Sequence, residues 1–284
     1  MKFFLLAAGI GRRAQPLSLF KPKPLFPLAG QPLLKLMLSQ LRRQGVAEGF
    51  VNVHHLGEKI TAACAGFPGI TFFPEKQLSG SMALKRALPQ LDDLLLAING
   101  DVYLEIPLAA LLEKMTRQRA DGVLLARHEP QRHYAHLMIE GDDFHGIEKS
   151  APGPGWFYTG VALFQKNVVA AINERNFFES LAKNRFRIKV VSYQGVWLDL
   201  GTPGRYFFAN FEYQKQLGDP GGSSLSENVS LSADSILERT IVWENTRIGN
   251  GSILSDCIVT GDLELSGVRF SRRIITPGND FPLR

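Results

Sequence analysis

Cysteine is scarce in this 284-residue chain. The two present, Cys64 and Cys257, lie far apart, without Cys-x-x-Cys or Cys/His spacing. That excludes a disulfide scaffold and a zinc site and suits a reducing, cytoplasmic setting. Long apolar runs are missing too: no stretch approaches the ~20 residues that cross a bilayer, so no membrane partner is expected. Residues 1–10 set a lysine before a short apolar run, but no small-x-small cleavage site follows, and they read as a buried first strand instead of a signal peptide. Blocks of one charge are also absent. Lys and Arg number 32 against 27 Asp and Glu, a net charge of +5 spread along the chain. Scattered basic residues call for no nucleic acid, and a phosphate-rich small substrate accounts for the excess. With 45% hydrophobic residues, the chain can build one large domain and a small appendage.

Strands and helices alternate through the first two-thirds. Leu94–Ile98 and Val123–Ala126 are continuous apolar runs bounded by polar or turn residues, as parallel strands covered on both faces require. Leu33, Leu34, Met37, Leu38 and Leu41 share one face of a helix that stops near Gly45. Thr202 and Pro203 start another: a hydroxyl to cap, a proline at the first helical position, then Phe207, Phe208 and Phe211 as an apolar stripe. The alternation predicts an α/β fold, Rossmann-like, with a mainly parallel sheet and ligands outside the carboxyl ends of its strands. Composition breaks at Gly218-Asp219-Pro220-Gly221-Gly222-Ser223-Ser224, a linker signal. Beyond it Ile236, Val242, Ile248 and Leu254 recur every six residues, and Ile241, Ile253, Val259 and Leu265 form a second register. One aliphatic per six residues is the hexapeptide signature of a short parallel β-helix; an antiparallel hairpin domain is the alternative. The expected division is therefore 1–218 and 219–284. So few coils bury little alone and are expected to pack on the first domain or to build a homo-oligomer.

Chemistry concentrates in Leu6-Ala7-Ala8-Gly9-Ile10-Gly11-Arg12-Arg13, with Lys23 following in Lys21-Pro22-Lys23-Pro24-Leu25. A strand runs into a glycine turn where backbone N–H groups can approach a phosphate chain, and two cations neutralise it. A third dinucleotide glycine is lacking, since Ala14 takes its place, and Walker A Gly-Lys-Ser/Thr does not occur. Asn99-Gly100-Asp101 ends the Leu94–Ile98 strand, where a carboxylate can hold a metal or shape a turn. Trp197-Leu198-Asp199-Leu200-Gly201-Thr202-Pro203 places a second carboxylate before the capped helix. His54 and His55 have no identifiable acid or metal partner and read as loop residues.

Taken in order, these motifs resemble the sugar-1-phosphate nucleotidyltransferases, the nucleotide-sugar pyrophosphorylases, whose signature runs roughly L-A-A-G-x-G-[ST]-R-L-x-P-L-T-x-x-x-P-K-P-L. The likeness covers most of residues 1–216. Arg12 and Ala14 depart from it without removing a charged group. The resemblance implies the nucleotide-diphospho-sugar transferase type of sheet and, with the hexapeptide tail, a left-handed β-helix. It implies a Mg2+ cofactor on Asp101 and Asp199, nucleotide binding by Leu6, Ala8, Gly9, Gly11, Gln77, Gly80 and Asn99, and catalytic roles for Arg13, Lys23 and Lys149. Glu148 and Lys149 match the family's E-K-P element, with Ser150 for its proline, and Thr159 and Gly160 match its sugar-contacting strand. Tyr158 stands where asparagine is common, as in the N-acetylmuramate-1-phosphate uridylyltransferase variant. The substrates implied are a nucleoside triphosphate and a sugar 1-phosphate. The segment Glu75–Leu84 departs most: Gly80 replaces a threonine and Met82 a glycine, so Met82 either meets a base edge or fills core space. Two other classes share this architecture. A regulatory subunit would bind nucleotide-sugar without turnover, yet the charged residues survive. A glycosyltransferase would carry Asp-x-Asp, whereas Asp92-Asp93 and Asp142-Asp143 are adjacent pairs in loops.

Overall fold

The computed structural model describes residues 1–129, 134–148, 153–174, 176–219 and 221–284. They form two compact units. One comprises Met1–Gly9 and Leu38–Trp197, the other Ile10–Met37 and Leu198–Arg284. No helix among the described residues is long and apolar enough to cross a membrane.

The first unit is built on a nine-stranded sheet in the order Ile70–Pro74, Gly49–Val53, Lys2–Leu6, Leu94–Asn99, Gly155–Gln165, Gly122–Glu129, Ile188–Ser192, Asp143–Glu148, His136–Glu140. The first four run parallel, Phe3 pairing with Gly49 on one side and Leu96 on the other. Gly155–Gln165 then inserts antiparallel to both neighbours, so the sheet is more mixed than expected. The reason is topological: a central antiparallel strand is covered on both faces as a parallel one is, and both give the same continuous apolar run. Phe4, Phe50 and Phe73 pack with ring centroids 5.4–6.0 Å apart, and Leu95, Ala97, Leu124, Ala126, Ala162 and Phe164 continue the core. Helix Leu33–Arg43 buries the five apolar residues at helical spacing to within 2% exposure. An antiparallel hairpin forms between His136–Glu140 and Asp143–Glu148.

In the second unit the repeat segment winds into coils. Ser224 pairs with Ile241, Ile241 with Ile258 and Ile258 with Ile274, all in parallel, a repeat of 17, 17 and 16 residues. Two further parallel ladders complete three sides, and an antiparallel hairpin, Arg273–Thr276 with Asn279–Pro282, ends the stack. The interior holds Val242, Ile248, Leu254 and Val259, with Leu237, Leu265 and Phe270 partly buried. Ile236, which opened the expected register, is 57% exposed; Leu237 takes the inward place, because one corner of this coil is five residues long and a strict count of six slips by one. Helix Pro203–Gln216 starts as expected, Arg205 N donating to the Thr202 hydroxyl at 3.3 Å. Its apolar stripe differs. Tyr206, Phe207, Asn210 and Tyr213 are buried, whereas Phe208 is 67% exposed. At 100° per residue 206, 210 and 213 share a face, and Phe208 lies opposite.

Candidate active site

In the first unit a cavity of about 380 Å³ opens at the carboxyl ends of the leading parallel strands. Leu6, Ala8 and Gly9 leave the first strand and form one wall, Asn99 another, and Gly80 and Ser81 a third. Ligand sites occur at such strand ends because the chain turns there and leaves backbone groups unpaired. Five residues expected to bind nucleotide thus meet around one space: Leu6, Ala8, Gly9, Gly80 and Asn99. Gln77 is exposed on the adjoining loop and does not line it.

A buried polar chain stiffens this wall. The Asn52 side chain accepts from Ala7 N at 2.7 Å and donates to Glu75 Oε1 at 2.8 Å, while Ser79 N donates to Glu75 Oε2 at 2.9 Å. Asn52 is 3% and Glu75 8% exposed. A carboxylate removed from water loses hydration energy, which these two N–H donors offset. The chain therefore ties the turn Ala7–Gly9 to the turn at Ser79–Gly80. Sequence reasoning missed Asn52. Its signal was a lone polar residue inside the apolar strand Phe50-Val51-Asn52-Val53, a pattern that demands a buried partner.

Aromatic residues supply the remaining wall: Tyr158, Phe177 and Phe178, with Asn176 beside them. Tyr158 meets Phe177 and Phe178 edge-on at 5.4 and 5.3 Å. Burial pushes the Tyr158 phenol up. Asn176 caps helix Phe177–Lys183, accepting from Phe178 N at 3.1 Å. Ser81 donates to Glu174 O at 3.0 Å. Met82 does not fill core space, being 40% exposed, and the cavity lining does not include it.

Thr159 and Gly160 lie on strand Gly155–Gln165. Thr159 is fully buried and its hydroxyl donates to Leu125 O at 2.9 Å, so it is spent on holding neighbouring strands. The side chain offered to the cavity is Tyr158, because alternate residues of a strand face opposite sides. Gly160 permits close approach instead: a Cβ there would lie 3.1 Å from Asn99 Cβ. Trp197 donates to Thr159 O at 2.7 Å and packs edge-on against Phe157, so the tryptophan of its motif braces this strand. Asp101 is half-buried after the turn in which Gly100 N donates to Leu6 O at 3.0 Å. Glu148 is exposed at the end of its hairpin. Lys149 lies outside the described residues.

The other signature residues belong to the second unit. Gly11 has φ +73°, and a Cβ there would lie 2.9 Å from Ser18 Cβ and 3.5 Å from Lys23 Cγ; only glycine fits this left-handed, crowded turn. The Ser18 hydroxyl donates to Gly11 O at 2.8 Å. Gly11 and the Lys23 stem are thereby brought together, with Arg13 exposed on the short turn Arg12–Ala14. Asp199, its side chain 11% exposed, accepts from Gly201 N at 2.7 Å and from Arg205 Nη1 at 2.6 Å. Arg205 is a partner that spacing alone did not reveal. Among the described residues no cluster of three or more His, Cys, Asp or Glu side chains forms a metal site.

Residues 3–180 match the family described as MobA-like NTP transferase domain. The chain belongs to this family. With that match, the resemblance to sugar-1-phosphate nucleotidyltransferases is borne out. The chain is similar to the N-acetylmuramate alpha-1-phosphate uridylyltransferase of Neisseria meningitidis serogroup B, 29% identical over 228 residues, 71% of this chain and 94% of the relative. It is 27% identical to mannose-1-phosphate guanylyltransferase 1 of Arabidopsis thaliana over 305 residues, 98% and 82% of the two chains. Among solved structures, HddC from Yersinia pseudotuberculosis complexed with GMP-PN shares the fold, with a TM-score of 0.65 at 22% identity over 75% of this chain and 99% of that one.

Proposed function

We propose that this NTP transferase joins a nucleoside triphosphate to a sugar 1-phosphate, giving a nucleotide-sugar and pyrophosphate. The observation that carries the reading is the cavity walled by Leu6–Gly9, Gly80 and Asn99 at the strand ends, continuous in sequence with the Gly11, Arg13 and Lys23 turn. In the reaction a phosphate oxygen of the sugar 1-phosphate forms a bond to the α-phosphorus. The bond from that phosphorus to the bridging oxygen breaks, and pyrophosphate leaves with the electron pair. The nucleophile is already an anion, so no general base is needed, and positioning with charge neutralisation suffices. Arg13 holds the departing pyrophosphate, Lys23 offsets charge at the α-phosphate and Lys149 orients the sugar phosphate beside Glu148.

Asp101 and Asp199 suit a hard cation, being carboxylates with no soft ligand among them. They are the residues that would hold Mg2+, and Asp199 would exchange its Arg205 partner to do so. Bound there, Mg2+ supplies charge neutralisation on substrate phosphates. In this reading residues 1–218 carry the chemistry, and 219–284 are a linker and left-handed coils. The relatives' names point to guanylyl or uridylyl transfer. The alternative, a regulatory subunit that binds nucleotide-sugar without turnover, is disfavoured by the retention of Arg13, Lys23, Asp101 and Asp199. The test is pyrophosphate release across four nucleoside triphosphates and a panel of sugar 1-phosphates with Mg2+. Release from one pair supports transfer; silence from all pairs with retained nucleotide-sugar binding supports the alternative.

A further inference from the structure

Within the second unit, the coils grip the signature loop on both sides of Lys23. Lys21 is only 9% exposed. Its ammonium pairs with both carboxylate oxygens of Glu244 and stands 4.8 Å over the ring of Trp243. The corner bearing Glu244 is itself held by the next coil, Asp262 N donating to Glu244 O at 3.1 Å. Beyond Lys23, the Phe26 ring lies 5.4 Å from Trp243 and 5.0 Å from Tyr206. The Trp243 indole N–H donates to the Tyr206 hydroxyl at 3.0 Å, and that hydroxyl donates to Pro27 O at 2.9 Å. Asn210 donates to the same carbonyl at 2.6 Å and accepts from Ala29 N at 3.2 Å. Two anchors, one ionic at Lys21 and one aromatic at Phe26, thus fix the backbone either side of the four residues Pro22, Lys23, Pro24 and Leu25.

We propose that Trp243 and Glu244 are positioning residues for Lys23, so that the hexapeptide coils form part of the catalytic apparatus. This rests on the reading of Lys23 as the group that meets the transferring phosphate. Such a site tolerates little displacement, since a shift of about 1 Å costs on the order of 10²-fold in rate. The segment itself is a single 3-10 turn, Lys23–Leu25, closed by Leu25 N donating to Pro22 O at 2.8 Å and Phe26 N to Lys23 O at 3.0 Å, and one turn alone supplies little of that rigidity. A largely buried lysine held to a carboxylate does supply it, its side chain 11% exposed against 29% for Glu244, because removing the carboxylate takes away the ion pair that holds the ammonium in place.

The test is a kinetic cycle of Glu244→Gln with Lys23→Ala. Glu244→Gln alone is expected to lower kcat about 10²-fold, with KM for both substrates moving less than roughly threefold. In the Lys23→Ala background Glu244→Gln is expected to add no further loss, because both changes remove the same phosphate contact. An unchanged kcat, or losses that multiply in the double variant, overturns the proposal. If Glu244→Gln does not fold, Trp243→Phe, which removes the indole donor and keeps a ring, enters the same cycle with the same expectations. If the parental chain turns over no substrate pair, the function reading fails, and positioning is judged by amide hydrogen exchange over residues 19–26. Faster exchange in the variant, confined to that loop, supports it; unchanged exchange overturns it.

Discussion

Replacing Asn52 with alanine tests whether the buried chain Ala7–Asn52–Glu75–Ser79 holds the cavity wall. The side chain joins two groups of the cavity wall: Ala7 N, 2.7 Å from Asn52 Oδ1, and Glu75 Oε1, 2.8 Å from Asn52 Nδ2. Truncation leaves a buried N–H unpaired, a loss of about 1–3 kcal/mol, and strips a charged acceptor of one of its two described donors, about 1.5–3 kcal/mol. Partial relaxation of the turn reduces the sum, and about 3 kcal/mol is expected. Urea unfolding followed by tryptophan fluorescence reads this as a lower midpoint with unchanged slope. Asn52→Asp should be worse than alanine at neutral pH, since it sets a second carboxylate beside Glu75 within a low-dielectric interior. A surface control, Glu113→Ala, removes only the exposed i,i+4 pair with Arg117 and should cost a few tenths of a kcal/mol. If Asn52→Ala unfolds within about 0.5 kcal/mol of the parent, as surface substitutions do, the wall is not held by this chain and the reasoning fails.

Other outcomes follow from the same geometry. Asp101→Asn and Lys23→Ala should each lower turnover about 10²–10³-fold, by comparison with a deleted oxyanion donor, with circular dichroism unchanged; near-parental turnover in either removes that residue from the mechanism. Arg205→Met should remove the guanidinium from Asp199 and tighten Mn2+ binding in calorimetry, while equal affinity would show that the guanidinium does not compete with metal. Hydrogen bonds from Lys114 and then Lys189 hold the Asp142 carboxyl below its usual 3.8. A depressed folded-state pKa stabilises the protein above the unfolded value and loses that contribution as pH falls. The melting difference between parent and Asp142→Asn should therefore be full near neutrality and shrink below about pH 4; a difference constant down to pH 2 contradicts the assignment.

Much of the candidate site is legible in the sequence because its residues are local. Glycine at Gly9 and Gly11, the proline-braced Lys23, and the carboxylates after two strands are spacing patterns, and spacing is what a sequence displays. Gly11 shows why: its crowding against Ser18 and Lys23 is a constraint within thirteen residues. The cavity's aromatic wall was not legible. Phe177 and Phe178 start a short helix whose place beside Tyr158 depends on a strand inserted antiparallel into the sheet. The partner of Thr159 was not legible either, since only strand pairing turns its hydroxyl to Leu125. The repeat register slipped at Ile236 because coil corners vary between five and six residues, a choice made by packing.

By itself, the sequence determined the alternating α/β order, the repeat tail, the helix begun by Thr202 and Pro203, and the family of the chain. Each rests on periodicity or on a contiguous motif, where the physical cause acts between near neighbours. Tertiary structure alone decided which buried polar groups found partners. Asn52 with Glu75, Asp199 with Arg205 and Lys21 with Glu244 are separated by 23, 6 and 223 residues. A charge or amide out of water must be paired, but which partner meets it is settled only when the backbone has folded around both.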